Sequence, residues 1–406
     1  MPSEIVELRG HIIDSLILPK VLDEIIAREA GFKIEEVRIG GRRVDQSYAR
    51  IEVSAPSAEE LDTLVLRLRQ HGAEVSEKKS VQLAAAPVDG VFPEGFYVTT
   101  NQQTFIRLGN KEIEVRPSVR DSGIVVDRKA RTAVATKFDA LRKGMEVVVG
   151  HHGIRIVPLQ RSTARADAFE FSSNISIEKP KSAVIREVAR ELIRARNEKG
   201  KILVVGGPAI VHTGAVEHFQ KLIEWGFVQL LFAGNGLAAH DIENALFGTS
   251  LGVNLEHGAL TDKRPQNHMR AINAVRGAGG IRQAVASGLL KSGIMYNCVK
   301  HKVEFVLAGS IRDDGPLPEV ITDVIEAENA MRAKADGATI ALMMGTLLHS
   351  MAACNLLPST VKTICVDINP GVVAKLTGRE TFQSIGLVTD LEPFLRELTD
   401  CIAAAR

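Results

Sequence analysis

Aromatic residues are scarce. Phe, Trp and Tyr together make 4% of the 406 residues, with a single Trp. An aromatic platform for stacking single strands or sugars is therefore not expected. Charge of one sign is also lacking: 50 Lys and Arg stand against 49 Asp and Glu, a formal net charge of +1. Such a balance makes no polyanion-attracting field, so nucleic acid is not an expected partner. Cysteine is confined to Cys298, Cys354, Cys365 and Cys401, with no CxxC pair. A disulfide framework or a thiolate zinc site does not fit that pattern, and a reducing, cytoplasmic location does. The opening MPSEIVELRG has no basic segment leading into a long apolar stretch, so no signal peptide is expected. One uncharged run, residues 337–357, is long enough to span a membrane. Gly345 divides it into a strand-like 338–344 and a helix-like 346–354, so no membrane partner is expected.

What is present is ordinary globular material, 45% hydrophobic and 24% charged. At about 150 residues per domain the length suggests two or three domains. Residues 1–85 read as β-α-β-β-α-β. Strands fall near 4–12, 32–39, 47–53 and from 73, and helices at 19–29 and 57–70. Ser57 is the candidate N-cap, with Glu60 at the capping-box position. This is the split βαβ order of a ferredoxin-like domain. Residues 86–170 are short β-branched segments punctuated by Gly, Pro and Asn, which reads as a small antiparallel β-barrel or sandwich. The adjacent His151 and His152 would point to opposite faces of a strand, so they read as turn or surface residues.

Residues 171–406 are more regular. A charged helix over 181–198 precedes continuous apolar runs at 202–205, 228–232, 303–307, 339–343, 363–366 and 385–388, most of them followed by helical segments. Continuous runs indicate parallel strands covered on both faces, and the alternation indicates a doubly wound, Rossmann-like α/β sheet. In such sheets ligands bind beyond the carboxyl ends of the strands. Those ends carry Gly206-Gly207-Pro208, then AGNGLAAHD, AGSIRDDGPLP, GTLLHS, Asp367-Ile368-Asn369 and Thr389-Asp390. Gly and Asn permit close backbone approach, and a helix start offers N–H groups to a phosphate. Asp367 is placed like an acid that accepts hydrogen bonds from a ribose. The combination suggests a dinucleotide, although the GxGxxG fingerprint is missing and each residue alone also reads as a turn or cap.

The stretch Arg312-Asp313-Asp314-Gly315-Pro316 can recognise an amino acid, Arg pairing with a carboxylate and Asp with an ammonium. One carboxylate could also move protons at a substrate amine. A surface turn with a local Arg–Asp pair is an equal reading. His240 with Asp241 reads as a helix start and cap. His257, His268, His301 and His349 show no HxxxH or HExxH spacing, so no metal site is expected. Cys298 beside Asn297 reads as a pocket residue or, more commonly, a buried inert thiol.

The strings GHIIDS, AGNGLAAHDIE, NHMRAIN, LAGSIRDDGPLPEV and CVDINP together resemble the LOR/SDH conserved-region family. That family includes archaeal-type ornithine cyclodeaminases and the C-terminal half of bifunctional arginine dihydrolase/ornithine cyclodeaminases. The resemblance spans essentially the whole chain, with Gly236 standing where the family is expected to have Ala. The amidinotransferase-type domain of the bifunctional members is absent, so arginine breakdown is not expected. Motifs of the crystallin-related cyclodeaminases are not found.

The resemblance implies three domains: a ferredoxin-like α+β domain (1–85), a small β-barrel (86–170) and a Rossmann-like NAD-binding domain (171–406). It also implies NAD-dependent conversion of L-ornithine to L-proline and ammonia, in which hydride leaves the α-carbon, the δ-amine attacks, ammonia departs and hydride returns. Asp313 or Asp314 is then expected at the substrate amine and Arg312 at its carboxylate. Asn235, Gly236, Gly309, Ser310, Thr346, Leu347, Leu348, Asp367, Ile368 and Asp390 are expected around NAD. Asp367 would repel a 2′-phosphate, which favours NAD over NADP. A homodimer or larger assembly is expected. An amino-acid dehydrogenase of the saccharopine or lysine type, and a non-enzymatic amino-acid and NAD-binding regulator, stand as alternatives.

Overall fold

The computed structural model describes residues 1–13, 15–42, 45–75, 79–157, 180–250, 253–254, 264–313, 315–378 and 384–406. It divides into two units, Met1–Glu170 with Pro358–Thr360, and Phe171–Leu357 with Val361–Arg406.

The first unit opens with β1 (Ser3–Gly10), α1 (Ile17–Ala27), β2 (Gly31–Arg38), β3 (Ser47–Ser54), α2 (Ala58–Gln70) and β4 (Glu74–Val75). The antiparallel sheet order β2-β3-β1-β4 is that of a ferredoxin-like fold. Local chemistry sets α2. Ser57 Oγ accepts the Glu60 N–H at 3.2 Å. Glu59 and Glu60 lie in the first turn and Arg67 and Arg69 in the last, each sign matching the helix dipole. Along β3 every second residue is buried, which turns Ala49, Ile51 and Val53 onto Val6, Leu8, Leu64 and Leu68.

Seven strands follow in a second sheet: β5 (Gln82–Ala85), β6 (Gln103–Leu108), β7 (Lys111–Arg116), β8 (Gly123–Asp127), β9 (Thr132–Thr136), β10 (Glu146–Val149) and β11 (Ile154–Val157). Their order is β11-β6-β7-β9-β8-β10-β5. The expected antiparallel barrel is therefore a mixed half-barrel. The β8–β9 hairpin inserts β9 between β7 and β8, so β7 and β9 run parallel. Val81, just before β5, donates its N–H to Arg107 in β6 at 2.8 Å and draws the open sheet round. His151 and His152 lie in the turn between β10 and β11, as expected.

The second unit begins with α3 (Lys181–Asn197), β12 (Lys201–Gly206), α4 (Ala209–His212), α5 (Val216–Glu224), β13 (Leu230–Gly234) and α6 (Asn235–Phe247). A small hairpin, β14 (Thr249–Ser250) and β15 (Val253–Asn254), precedes α7 (Arg264–Ala278), α8 (Ile281–Ala286) and α9 (Ile294–Lys300). Then come β16 (Glu304–Ala308), β17 (Val320–Ile321), α10 (Val324–Ala335), β18 (Ala338–Met344), α11 (Leu347–Leu356), β19 (Lys362–Asp367), α12 (Pro370–Thr377), β20 (Ser384–Val388) and α13 (Leu391–Ala404). The sheet order is β17-β16-β13-β12-β18-β19-β20, and neighbouring strands are parallel throughout. All six expected runs are strands. The seventh, β17, is two residues long and leaves no periodic signal.

Continuous apolar runs have the cause expected of them. In β12, Ile202 and Val204 enter one buried cluster while Leu203 and Val205 enter the other, across the sheet. The chain builds outward from β12 to β13, β16 and β17, then returns through α10 to the opposite side and builds β18, β19 and β20. The strand order therefore reverses between β12 and β18, where doubly wound sheets hold their ligands. Residues 337–357 form β18, a turn at Gly345 and α11. No helix among the described residues is long and apolar enough to cross a membrane.

Candidate active site

At the reversal point two main-chain turns meet. The Gly207 N–H donates to Met344 O at 2.9 Å. A Cβ at Gly207 would collide with the Gly345 carbonyl and lie 2.9 Å from Cβ of Thr346. Gly345 itself has φ +61°, and a Cβ there would meet Ala209 and Leu391 at 2.9 Å. Only glycine fits either position, which lets the two turns pack closely where β12 and β18 part.

The helices around it differ in how they begin. Asp323 caps α10, Asn369 caps α12 and Asp390 caps α13, each accepting a first-turn N–H. By contrast α6 starts at Gly234 and α11 at Thr346, and neither has a side-chain cap. These two helices follow β13 and β18, the strands on either side of β12. Their first-turn N–H groups have no intrahelical acceptor and carry the positive end of the helix dipole, a ready site for an anion.

His349 joins the two turns. Its Nδ1 lies 3.3 Å from Thr346 Oγ1, and its Cε1 would be 2.9 Å from a Cβ on Gly234. Burial pushes its pKa down, while the Asp313 carboxylate opposes that shift. A largely buried imidazole that favours the neutral state, with a carboxylate acting on it, can accept and return a proton. Ser350, next in the helix, is fully buried, and its Oγ has no hydrogen-bond partner among the described residues.

The expected cofactor residues fall into two sets. Thr346, Leu347 and Leu348 form the start of α11, with Leu348 73% exposed. Asp367 ends β19, the parallel neighbour of β18, twenty-two residues beyond Gly345. Its spacing from the turn matches the about 20 residues that separate a phosphate turn from a ribose-binding acid. Its Oδ1 accepts the Asn369 N–H at 2.8 Å, and Ile368 beside it is 69% exposed. Asp390 takes its oxygen to the start of α13, 3.4 Å from the Glu392 N–H.

The other set is more engaged with its own backbone. Asn235 is 2% exposed and its Oδ1 accepts the Leu317 N–H at 3.1 Å. Gly236 has open space beside it, with Pro208 the nearest neighbour at 3.9 Å from an added Cβ. Gly309 packs against β17, its N–H donating to Ile321 O at 2.8 Å. Asp313 Oδ2 accepts the Ser310 N–H at 2.8 Å, and the Arg312 N–H donates to Ser310 Oγ at 3.2 Å. Arg312 is exposed, and Asp314 lies outside the described residues.

One expectation changes. His240-Asp241 does not begin a helix: both residues sit in the middle of α6. Asp241 is fully buried and caps α9 instead, accepting the Ile294 and Met295 N–H groups at 2.7 and 2.8 Å. Burial raises its pKa to about 7 against those two hydrogen bonds. Cys298 is a buried thiol whose pKa burial drives well up. No sequence motif marks His349. Its spacing of three residues from Thr346, at a helix start, was the available signal.

Three family models account for nearly the whole chain. Residues 3–102 match the LOR/SDH bifunctional enzyme conserved region. Residues 103–185 match the first region of the arginine dihydrolase ArgZ-like C-terminal part, and 186–398 its Rossmann fold. The chain belongs to the ArgZ-like, LOR/SDH family. An ornithine cyclodeaminase of Methanocaldococcus jannaschii is 50% identical, over 97% of this chain and 95% of its own. The bifunctional arginine dihydrolase/ornithine cyclodeaminase AgrE of Nostoc is 37% identical over 98% of this chain and 58% of its own. Among solved structures, a conserved LOR/SDH protein of Methanococcus maripaludis superposes with TM-score 0.75 at 44% identity, covering 82% of this chain and 99% of that one. A ternary complex of AgrE with ornithine and NAD+ superposes with TM-score 0.55 at 36% identity, covering 100% of this chain and 58% of that one. The family assignment suggested by GSIRDDGPLP and its companion strings thus agrees with the family models and with the fold.

Proposed function

We propose that this family member converts L-ornithine to L-proline and ammonia, with NAD held at the reversal point of the Rossmann-like sheet. The observation that carries the reading is the pair of helix starts without a side-chain cap beside the closely packed Gly207 and Gly345 turns, with His349 there and the Asp313 carboxylate acting on it. The donor set suits a dinucleotide. Thr346, Leu347 and Leu348 would meet a phosphate through main-chain N–H groups, and Asp367 a ribose. When bound, NAD supplies reversible hydride acceptance at the α-carbon of ornithine.

The protein's own groups have the remaining work. Arg312 would hold the substrate carboxylate. Asp313, or its neighbour Asp314, would hold the substrate amine. His349 would take a proton from a departing or attacking nitrogen and give one back. Ring closure is intramolecular, so holding the chain of ornithine folded supplies much of the acceleration.

We further propose three domains with the boundaries expected above, a cytoplasmic location and a homo-oligomeric state. The four cysteines without a disulfide fit the location. The test of activity is ornithine added to purified protein whose bound nucleotide has been identified by mass spectrometry. Proline and ammonia should appear in equal amounts with no lasting NADH absorbance. NADH accumulating in step with ornithine loss would make the protein a dehydrogenase instead. Binding of both ligands without ammonia would leave it a regulator.

A further inference from the structure

Away from the reversal point, α6 and α7 bring together three groups that spacing alone had kept apart. His240 Nδ1 lies 3.3 Å from Glu243 Oε2, and His268 Nδ1 lies 3.4 Å from the same oxygen. One potential ligand atom from each residue falls within 4.8 Å of the others. Glu243 is fully buried. Its other oxygen, Oε1, accepts Thr249 Oγ1–H at 2.9 Å, and Thr249 Oγ1 in turn accepts Asn267 Nδ2–H at 3.2 Å. The carboxylate is thereby turned with Oε2 toward both imidazoles. The His212 ring packs 4.7 Å from that of His240, with its Nδ1 2.8 Å from Ser250 Oγ.

The wholly buried carboxylate is thus hydrogen-bonded through Oε1 and faces both imidazoles through Oε2. His240 Nδ1 is within hydrogen-bond reach of Oε2, with donor and acceptor set by the tautomer. His268 Nδ1 is buried and has no hydrogen-bond partner among the described residues despite its closeness to Oε2. With its proton on Nε2, His268 would direct its Nδ1 lone pair into the same space as the carboxylate oxygen, the arrangement of two ligands around a cation. Zinc–ligand bonds of about 2.0–2.2 Å make tetrahedral edges of about 3.3–3.6 Å, which the two short separations match.

We propose that His240, Glu243 and His268 bind a divalent cation of the zinc class, clamping α6 to α7 and leaving one coordination position for water. Two imidazoles and one carboxylate are a zinc-type donor set, and Thr249 and Asn267 supply the outer hydrogen bonds that hold such a carboxylate. Glu243 lies eight residues into α6 from Asn235, about 12 Å along the helix axis, so the cation would sit apart from the helix start at the reversal point.

The experiment uses full-length protein without a purification tag, stripped with chelator and titrated with Zn2+, and in parallel with Co2+ for its visible bands. One equivalent should bind per chain, with Co2+ bands of four- or five-coordinate intensity, and Zn2+ should raise the melting temperature. His268→Gln and Glu243→Gln should each weaken binding by about 100-fold, and Thr249→Val by about 10-fold. If Glu243→Gln does not fold, the partly exposed His268→Gln decides. No stoichiometric binding by the wild type, or wild-type binding by His268→Gln, would overturn the site and leave a pair of histidine–carboxylate contacts. None of these outcomes depends on whether ornithine is the substrate.

Discussion

Two loops at the carboxyl edge of the Rossmann-like sheet, one after β16 and one after β18, invert what their sequences advertise. Ser310-Ile311-Arg312-Asp313, after β16, is dense with charge. GTLLHS, after β18, has no charged residue apart from a titratable histidine. Yet Asp313 and Ser310 hydrogen-bond to their own turn, and Asn235 nearby is tied to Leu317. The quiet loop leaves its N–H groups without a side-chain cap and carries the imidazole that reaches across to Gly234. Side-chain charge is visible in a sequence, whereas uncommitted main-chain donors are not. The loop that looked chemically richer holds itself in shape, and the other offers free donors.

The sharpest way to break this contrast is to compare His349→Gln with Asp313→Asn. His349→Gln should lower kcat by about 10²–10⁴-fold with NAD binding little changed. Asp313→Asn should cost about 10-fold in kcat/KM. A larger loss from Asp313→Asn than from His349→Gln would reverse the assignment of proton carrier. The Asp313 carboxylate raises the pKa of His349. Removing that charge lowers it, so the acid limb of the kcat/KM profile should move to lower pH. An acid limb that stays in place would separate the two groups.

Gly207→Ala tests the close packing of the two turns. An added Cβ collides with the Gly345 carbonyl. It should cost about 1–3 kcal/mol of stability, read by chemical denaturation, and weaken NAD binding by at least about 10-fold, read by calorimetry. Asp367→Asn keeps the acceptor for the Asn369 N–H but removes the charge. NAD binding should fall by about 10-fold and the preference for NAD over NADP should shrink. An unchanged preference would remove Asp367 from the ribose.

The smallest expected effect lies in the other unit. Burial, aided by the positive charge of Arg69, lowers the His151 pKa to about 4. Its unfolded value is near 6.5, so between those values the unfolded chain binds more protons. Stability conferred by the neutral ring is thus present above about pH 6.5 and lost as pH falls toward 4. His151→Gln should flatten the melting temperature over that window. A slope equal to the wild type would place the acid sensitivity elsewhere.

Legibility followed the range of the forces involved. The ferredoxin-like region was readable because Ser57, Glu60 and the alternation in β3 act within a few residues of one another. The parallel strands were readable because burial on both faces makes them continuously apolar. The parallel pairing of β7 with β9 was not, since it depends on where a distant hairpin inserts. Asp241 looked like a cap and is one, but for α9, more than fifty residues onward in the chain. The His240–Glu243–His268 cluster escaped for a similar reason: α6 and α7 meet only in the folded chain.

Because neither Gly207 nor Gly345 has room for a Cβ where β12 and β18 part, no side chain can be introduced at either position. If the proposed reaction is the one catalysed, retuning it for a longer or shorter diamino acid would have to act at residues 309–313 and 346–349. Substitutions there can change reach and polarity while the platform beneath keeps its contour.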